Sequence, residues 1–206
     1  RKSSSGLDLP IAIGVLAASG QIKMRKRKLM SLLQSTLFIG ELSLDGGLKK
    51  TQGILSMAMK ALDEKLVTVF TSSENIALLH YIDTIASYGA RTLEDIVQVL
   101  IKPDSYTVEV ISTNREDKTY SSIDYKDVHG QELGKRAMII VATGLHHVMM
   151  TGPPGAGKTM LAERLPTILP DMSWDERLET TRIHDVAGLL EKNTLISRRP
   201  FRGPHH

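Results

Sequence analysis

The chain has 206 residues, 41% of them apolar, with 26 Lys and Arg against 23 Asp and Glu, a formal charge of +3 and an isoelectric point near 9.1. It contains no cysteine, which excludes a disulfide framework and thiolate zinc sites and fits a reducing, cytoplasmic setting. No run of about 18 apolar residues occurs, so neither a transmembrane helix nor a membrane partner is expected. The mildly basic balance tolerates nucleic acid as a partner without arguing for it.

Residues 1–20, RKSSSGLDLPIAIGVLAASG, carry the basic start, apolar middle and small-residue end of a secretory signal. Asp8 and Pro10 interrupt the apolar stretch, however, and Arg1 stands where an initiator Met would. A helix over Leu9–Ser19 is the better reading, with Asp8 as its N-cap and Gly20 as its stop. A fragment beginning inside a domain is therefore expected. KMRKRK (Lys23–Lys28) follows, five cations in six residues. It reads as a solvated loop or helix face, with a nucleic-acid contact as the alternative. TLFIGELSLDGG (Thr36–Gly47) predicts a strand ending in a Gly-rich turn.

ILSMAMKALDEKL (Ile54–Leu66) places Ile54, Met57, Ala58, Ala61, Leu62 and Lys65 at helical spacing. LVTVF (Leu66–Phe70) is a β-branched strand, and Ser72 or Ser73 is placed to cap a helix running to Asp83. Thr92 and Asp95 form a capping box that opens a helix to Ile101. Residues 1–101 thus read as one α/β unit. Pro103 and Asp104 end it, and YTVEVIS and KTYSSIDY flank the polar TNRED, which makes 102–122 a linker or hairpin. The second unit spans 123–206. A helix near Gln131–Thr143 sets Leu133, Ala137, Ile140 and Gly144 on one face. HHVMM (His146–Met150) then reads as a short buried strand.

The motif that carries chemistry comes next. In TGPPGAGKTM, Gly152, Gly157, Lys158 and Thr159 satisfy G-x-x-x-x-G-K-[ST] between an expected strand and an expected helix. The glycines let the backbone curl around an anion with its N–H groups inward. Pro153 and Pro154 donate nothing, so the cradle falls to the amides of Gly155, Ala156, Gly157, Lys158 and Thr159. Lys158 should reach the β- and γ-phosphates of ATP, and the Thr159 hydroxyl should hold Mg²⁺. The bland alternative is a Gly-rich turn with a surface lysine. Hydrolysis also needs an acid at the end of a second strand. Glu163, Asp171, Asp175, Glu176, Glu179, Asp185 and Glu191 follow Thr159, and none comes after four apolar residues. The chain is expected to hold ATP without cleaving it alone.

Several stretches together resemble the magnesium-chelatase-like ATPases of the ComM/YifB family. DVHGQELGKRAMIIVATGLHHVMMTGPPGAGKTMLAERLPTILP is similar to the start of that family's AAA+ domain, and TRIHDVAGLL and RRPFRGPHH look like the segments that follow there. SGLDLPIAIGVLAASG, FIGELSLDGGL and GARTLEDIVQVL resemble its N-terminal domain, which has the Lon-protease fold. The resemblance implies an α/β chain made of a partial Lon-protease-like domain (1–101) and the N-terminal part of a P-loop AAA+ domain, truncated at both ends. It implies ATP and Mg²⁺ as cofactors, with Val128, Gly130 and Gln131 near the adenine and Gly152–Thr159 on the phosphates. It also implies a homohexamer when complete, acting on single-stranded or branched DNA. Members of the ComM type drive branch migration in recombination during natural transformation.

By the same resemblance the Walker B acids, the polar sensor and the arginine finger lie beyond His206. His205 and His206 belong to a signature whose role is not derivable, and Gly203 stands where the family usually has Ala. Besides a module that only binds, two other readings stay open. One is a magnesium chelatase subunit inserting metal into tetrapyrroles. The other is an ATP-dependent protease, for which Ser4 is the candidate nucleophile among Ser3, Ser4 and Ser5. Aligning on GELSLDGG puts the partner lysine of such a dyad at Leu55, which accepts no proton. Lys49 and Lys50 fall too early.

Overall fold

Two short runs rich in β-branched and aromatic residues, β1 (Thr36–Phe38) and β4 (Thr68–Ser72), join β5 (Ala86–Ala90) in a three-stranded parallel sheet with β4 in the middle. The computed structural model describes residues 5–102, 123–190 and 192–203. Ser3, Ser4, His205, His206 and the expected connector from 103 onward lie outside the described residues. Side chains alternate along each strand, so Phe38, Phe70 and Tyr88 fall on one face. Their rings stack at 5.3 and 4.8 Å. Over that face α1 (Asp8–Ala18), α2 (Lys26–Gln34) and α5 (Leu93–Ile101) deliver Leu9, Ile13, Leu29, Ile96 and Leu100 to one core.

On the opposite face Gly89 lies so close to α4 (Ile76–Leu79) that an added Cβ would come within 2.2 Å of Ile76 and 2.9 Å of the Ser73 backbone. β5 is not expected from the sequence. Ala86 and Gly89 are weak strand formers, and what makes this segment a strand is its parallel pairing with β4.

Several local expectations hold. α3 (Ile54–Asp63) follows the helical spacing as far as Leu62 but ends before Lys65, which turns to φ +62°, and Gly20 takes φ +74° just past α1. The capping box of α5 is formed: the Thr92 hydroxyl accepts from the Asp95 N–H at 3.1 Å, and the Asp95 carboxylate accepts from the Thr92 N–H at 2.9 Å. Others need correction. The strand expected from Thr36 breaks at Gly40, where a Cβ would strike Leu48 at 2.6 Å, and the chain turns into an antiparallel pair, β2 (Glu41–Leu42) with β3 (Leu48–Lys49). Asp8 is not the N-cap of α1. It is the helix's first residue, and its carboxylate accepts the Leu42 N–H at 3.3 Å. The Leu9 N–H goes instead to the Gly40 carbonyl. The helix expected to reach Asp83 ends at Leu79; Ser72 caps only the 3-10 turn before it.

The start of α3 has an unusual partner. Its N-cap, Gly53, sits at φ +76° and has no side chain to offer. The Leu55 N–H donates to Asp185, 130 residues later, at 3.1 Å, and Asp185 is only 2% exposed. Asp185 belongs to α8 (Trp174–Val186), and Thr180–Leu195 packs in the same compact unit as the sheet, although the sequence places these residues in the second domain.

The second unit contains α6 (Glu132–Gly144), α7 (Lys158–Arg164) and the first half of α8. Its small core joins Tyr125, Val128, Met138 and Leu161. Met138 and Ala142 form the buried face of α6; Leu133 and Ile140, expected on that face, are 87% and 56% exposed. His146–Met150 forms no strand and is largely exposed, because the described residues of this unit offer no strand for it to pair with. α8 opens on reciprocal bonds between Ser173 and Glu176, and Arg199 forks onto both Glu176 oxygens at 3.1 and 3.2 Å while donating to the Pro170 carbonyl.

Two outcomes follow from these caps. Asp185→Ala removes the acceptor at the start of α3 and is expected to cost about 1–2 kcal/mol, read as a lower urea midpoint, whereas Asp185→Asn keeps an acceptor and most of the stability. The Ser173 N–H, and then Arg199, hold the Glu176 carboxyl below its ordinary value of 4.5. A lowered carboxyl contributes stability above its unfolded pKa and loses it as pH falls through the folded one. The thermal midpoint should therefore drop on acidification below about 4.5, and Glu176→Gln should flatten that part of the profile; an unchanged slope would remove Glu176 from the account.

Candidate phosphate-binding site

Residues 151–157 run as an irregular exposed loop into α7. Gly155 and Gly157 take φ +78° and +77°, a region open to glycine and strained for other residues, and Gly157 is the N-cap of α7. Having no side chain, it leaves the helix's first N–H groups uncapped. Among the described residues the N–H groups of Gly155, Gly157, Lys158 and Thr159 meet no acceptor in the protein. Of the five amides expected in the cradle, Ala156 differs: its N–H closes the turn onto the Pro153 carbonyl at 3.3 Å. Pro153 and Pro154 contribute no donor, as expected.

The lysine folds back over this loop. Lys158 Nζ donates to the carbonyls of Gly152 at 2.7 Å and Pro153 at 2.8 Å. An ammonium has three N–H bonds, so one stays available in this position. Free amides at a helix start, a positive dipole end and one ammonium form a positively polarised surface. Its chemistry suits a phosphate oxygen: every group offered is a donor. Thr159, exposed on the first turn of α7, presents a hydroxyl beside it.

Of the three residues assigned to the base, the fold brings one to the loop. Gln131 adopts φ +54° after Gly130 at φ +68°, and its side-chain amide donates to the Ala156 carbonyl at 2.9 Å. A Cβ on Gly157 would come within 2.5 Å of that amide nitrogen and displace it from the Ala156 carbonyl, while the φ of +77° is what calls for glycine there. Val128 lies in the small core at 2% exposure, beside Leu161 of α7, and supports the loop from beneath. Sequence reasoning missed the Gln131 clasp, since it is a contact 25 residues apart. Of the acids after Thr159, Asp185 is occupied by the Leu55 N–H and Glu176 by Arg199 and Ser173. Leu55, the position a dyad lysine would take, is wholly buried.

Residues 1–75 match the family described as "Subunit ChlI of Mg-chelatase" and residues 124–206 the family described as "Magnesium chelatase, subunit ChlI". Across its full length the chain is 39% identical to the uncharacterized protein Rv2897c of Mycobacterium tuberculosis and 34% identical to the competence protein ComM of Haemophilus influenzae. It is 33% identical to the uncharacterized protein YifB of Escherichia coli. It spans 39% of the first and third of these proteins and 40% of the second. With both family descriptions and three full-length likenesses converging, this chain belongs to the ComM/YifB-type magnesium-chelatase-like proteins.

Proposed function

We propose that the chain is the ATP-binding portion of a magnesium-chelatase-like AAA+ ATPase whose complete form is a homohexameric motor acting on DNA in the cytoplasm. The observation that carries this reading is the row of unaccepted N–H groups at Gly155, Gly157, Lys158 and Thr159 under the Lys158 ammonium. In this reading Gly152–Thr159 cradles the phosphates of ATP. Lys158 exchanges its carbonyl partners for phosphate oxygens, and Gln131 keeps the Ala156 carbonyl turned out of the cradle. Bound ATP would supply a phosphoanhydride for cleavage and Mg²⁺, held through Thr159, would neutralise its charge. The residues up to 101 form a Lon-protease-like domain that serves as scaffold rather than protease, with Leu55 where an amine would be required.

The name of the Haemophilus relative ties one full-length likeness to competence. That supports a role in recombination during natural transformation, by branch migration of DNA. The family description favours one rival, metal insertion by a chelatase subunit. The two separate on substrate: the complete protein should unwind branched DNA in the presence of ATP and should not metallate a tetrapyrrole.

Lys158→Ala should weaken binding of a fluorescent ATP analogue about tenfold to a hundredfold, the effect of removing a charge-assisted phosphate interaction, with the circular dichroism spectrum unchanged. Equal affinity in the variant would return the loop to a Gly-rich turn. The chain of 206 residues should bind ATP yet release no phosphate, while the complete protein turns over. Turnover by the shorter chain would mean that one of its own acids completes the site.

A further inference from the structure

In the first unit, a cavity of about 640 Å³ opens between α2, α5 and the starts of β1 and β4. That volume lies within the range of about 300–1,000 Å³ that encloses small organic ligands. Three cations from the opening of α2 line it: Arg25, Arg27 and Lys28. No acidic side chain lines it, and none of the three makes an ion pair among the described residues. Cations gathered at the positive end of a helix dipole repel both the dipole and one another, and α2 has no acid in its first turn and no capping side chain to offset this. An anion in the cavity removes that conflict.

Two further features describe the rest of the ligand. The Phe70 and Tyr88 rings, stacked 13° from parallel, form an aromatic wall. Thr36, 7% exposed, also lines the cavity and adds a hydroxyl to its wall. The ligand therefore combines negative charge, a flat apolar body and a group able to bond a hydroxyl.

We propose that this cavity takes one nucleotide unit of single-stranded DNA, its phosphate against Arg25, Arg27 and Lys28 and its base against the Phe70–Tyr88 wall. The cation run favours a strand over a free mononucleotide: Lys23 and Lys26 are exposed, carry no ion pair among the described residues and lie outside the cavity lining, so the positive track continues where neighbouring phosphates would lie. A triphosphate is disfavoured because no Gly-rich loop borders the cavity. This inference rests on the DNA-handling part of the proposed function and adds a DNA-binding position in a different unit from the phosphate loop.

The test is anisotropy titration of a labelled thymidine oligomer with the 206-residue chain over a range of salt concentrations. The triple variant R25Q/R27Q/K28Q should bind about tenfold or more weakly at low salt, with the salt slope flattened by about 2, near 0.7 for each phosphate that is no longer neutralised. The triple variant K65Q/K126Q/K192Q removes the same charge elsewhere and should keep the parent slope. An abasic oligomer of equal length should bind more weakly than the thymidine oligomer, and thymidine monophosphate should compete poorly. The inference is overturned if the parent chain binds no oligomer, if both triple variants lose affinity alike, or if the abasic strand or the monophosphate matches the thymidine oligomer. Failure of the motor reading shows elsewhere, as absence of ATP-dependent unwinding by the complete protein, and leaves this binding result standing.

Discussion

The first turn of every α-helix carries N–H groups that no residue of the helix can accept, and the source of their acceptors organises this chain. α5 closes its own start with Thr92 and Asp95, and α8 does so with Ser173 and Glu176. α3 cannot, because Gly53 precedes it, and it receives the buried carboxylate of Asp185 instead. α7 also follows a glycine in the left-handed region, and there no protein group arrives. The same backbone device, a glycine N-cap, is thus filled from within the protein in one place and left open in the other. The open one lies in the G-x-x-x-x-G-K-T stretch.

The local geometry explains why the opening survives. An uncapped helix start usually finds an acceptor, yet here the nearby Ala156 carbonyl is already taken by the Gln131 amide. The Lys158 ammonium closes over the loop by bonding two backbone carbonyls, which stabilises the cradle without filling its amides. The donors this loop offers therefore come from backbone direction, with a single side-chain charge added. This is why the assignment depends on glycine conformation as much as on the lysine.

The link through Asp185 has a structural consequence for how the sequence is divided. A segment that follows the phosphate loop in the chain supplies a cap to a helix in the unit that precedes it. Arg182 reaches Ser56 and Asn193 reaches the Glu74 carbonyl, so this attachment has several points. The relatives are matched along the whole of this chain, in agreement with both parts being inherited together.

Sequence alone settled the parts whose causes are local. The bend of the G-x-x-x-x-G-K-T loop is legible because glycine alone enters the left-handed region without strain and proline fixes its own φ, and the Thr92–Asp95 box because its partners are three residues apart. The α3 spacing could be read for the same reason. Tertiary structure decided what depends on distant neighbours. β5 is a strand because β4 lies beside it, and Gly40 breaks a strand because Leu48 and Leu9 leave no room for a Cβ. Met138 and Ala142, rather than Leu133 and Ile140, are buried because Tyr125, Val128 and Leu161 gather on that side. Asp8 and Asp185 illustrate the division most directly. Each is an acid near a helix end, yet Asp8 serves Leu42 and Asp185 serves Leu55, since a carboxylate takes whichever N–H the fold leaves without an acceptor.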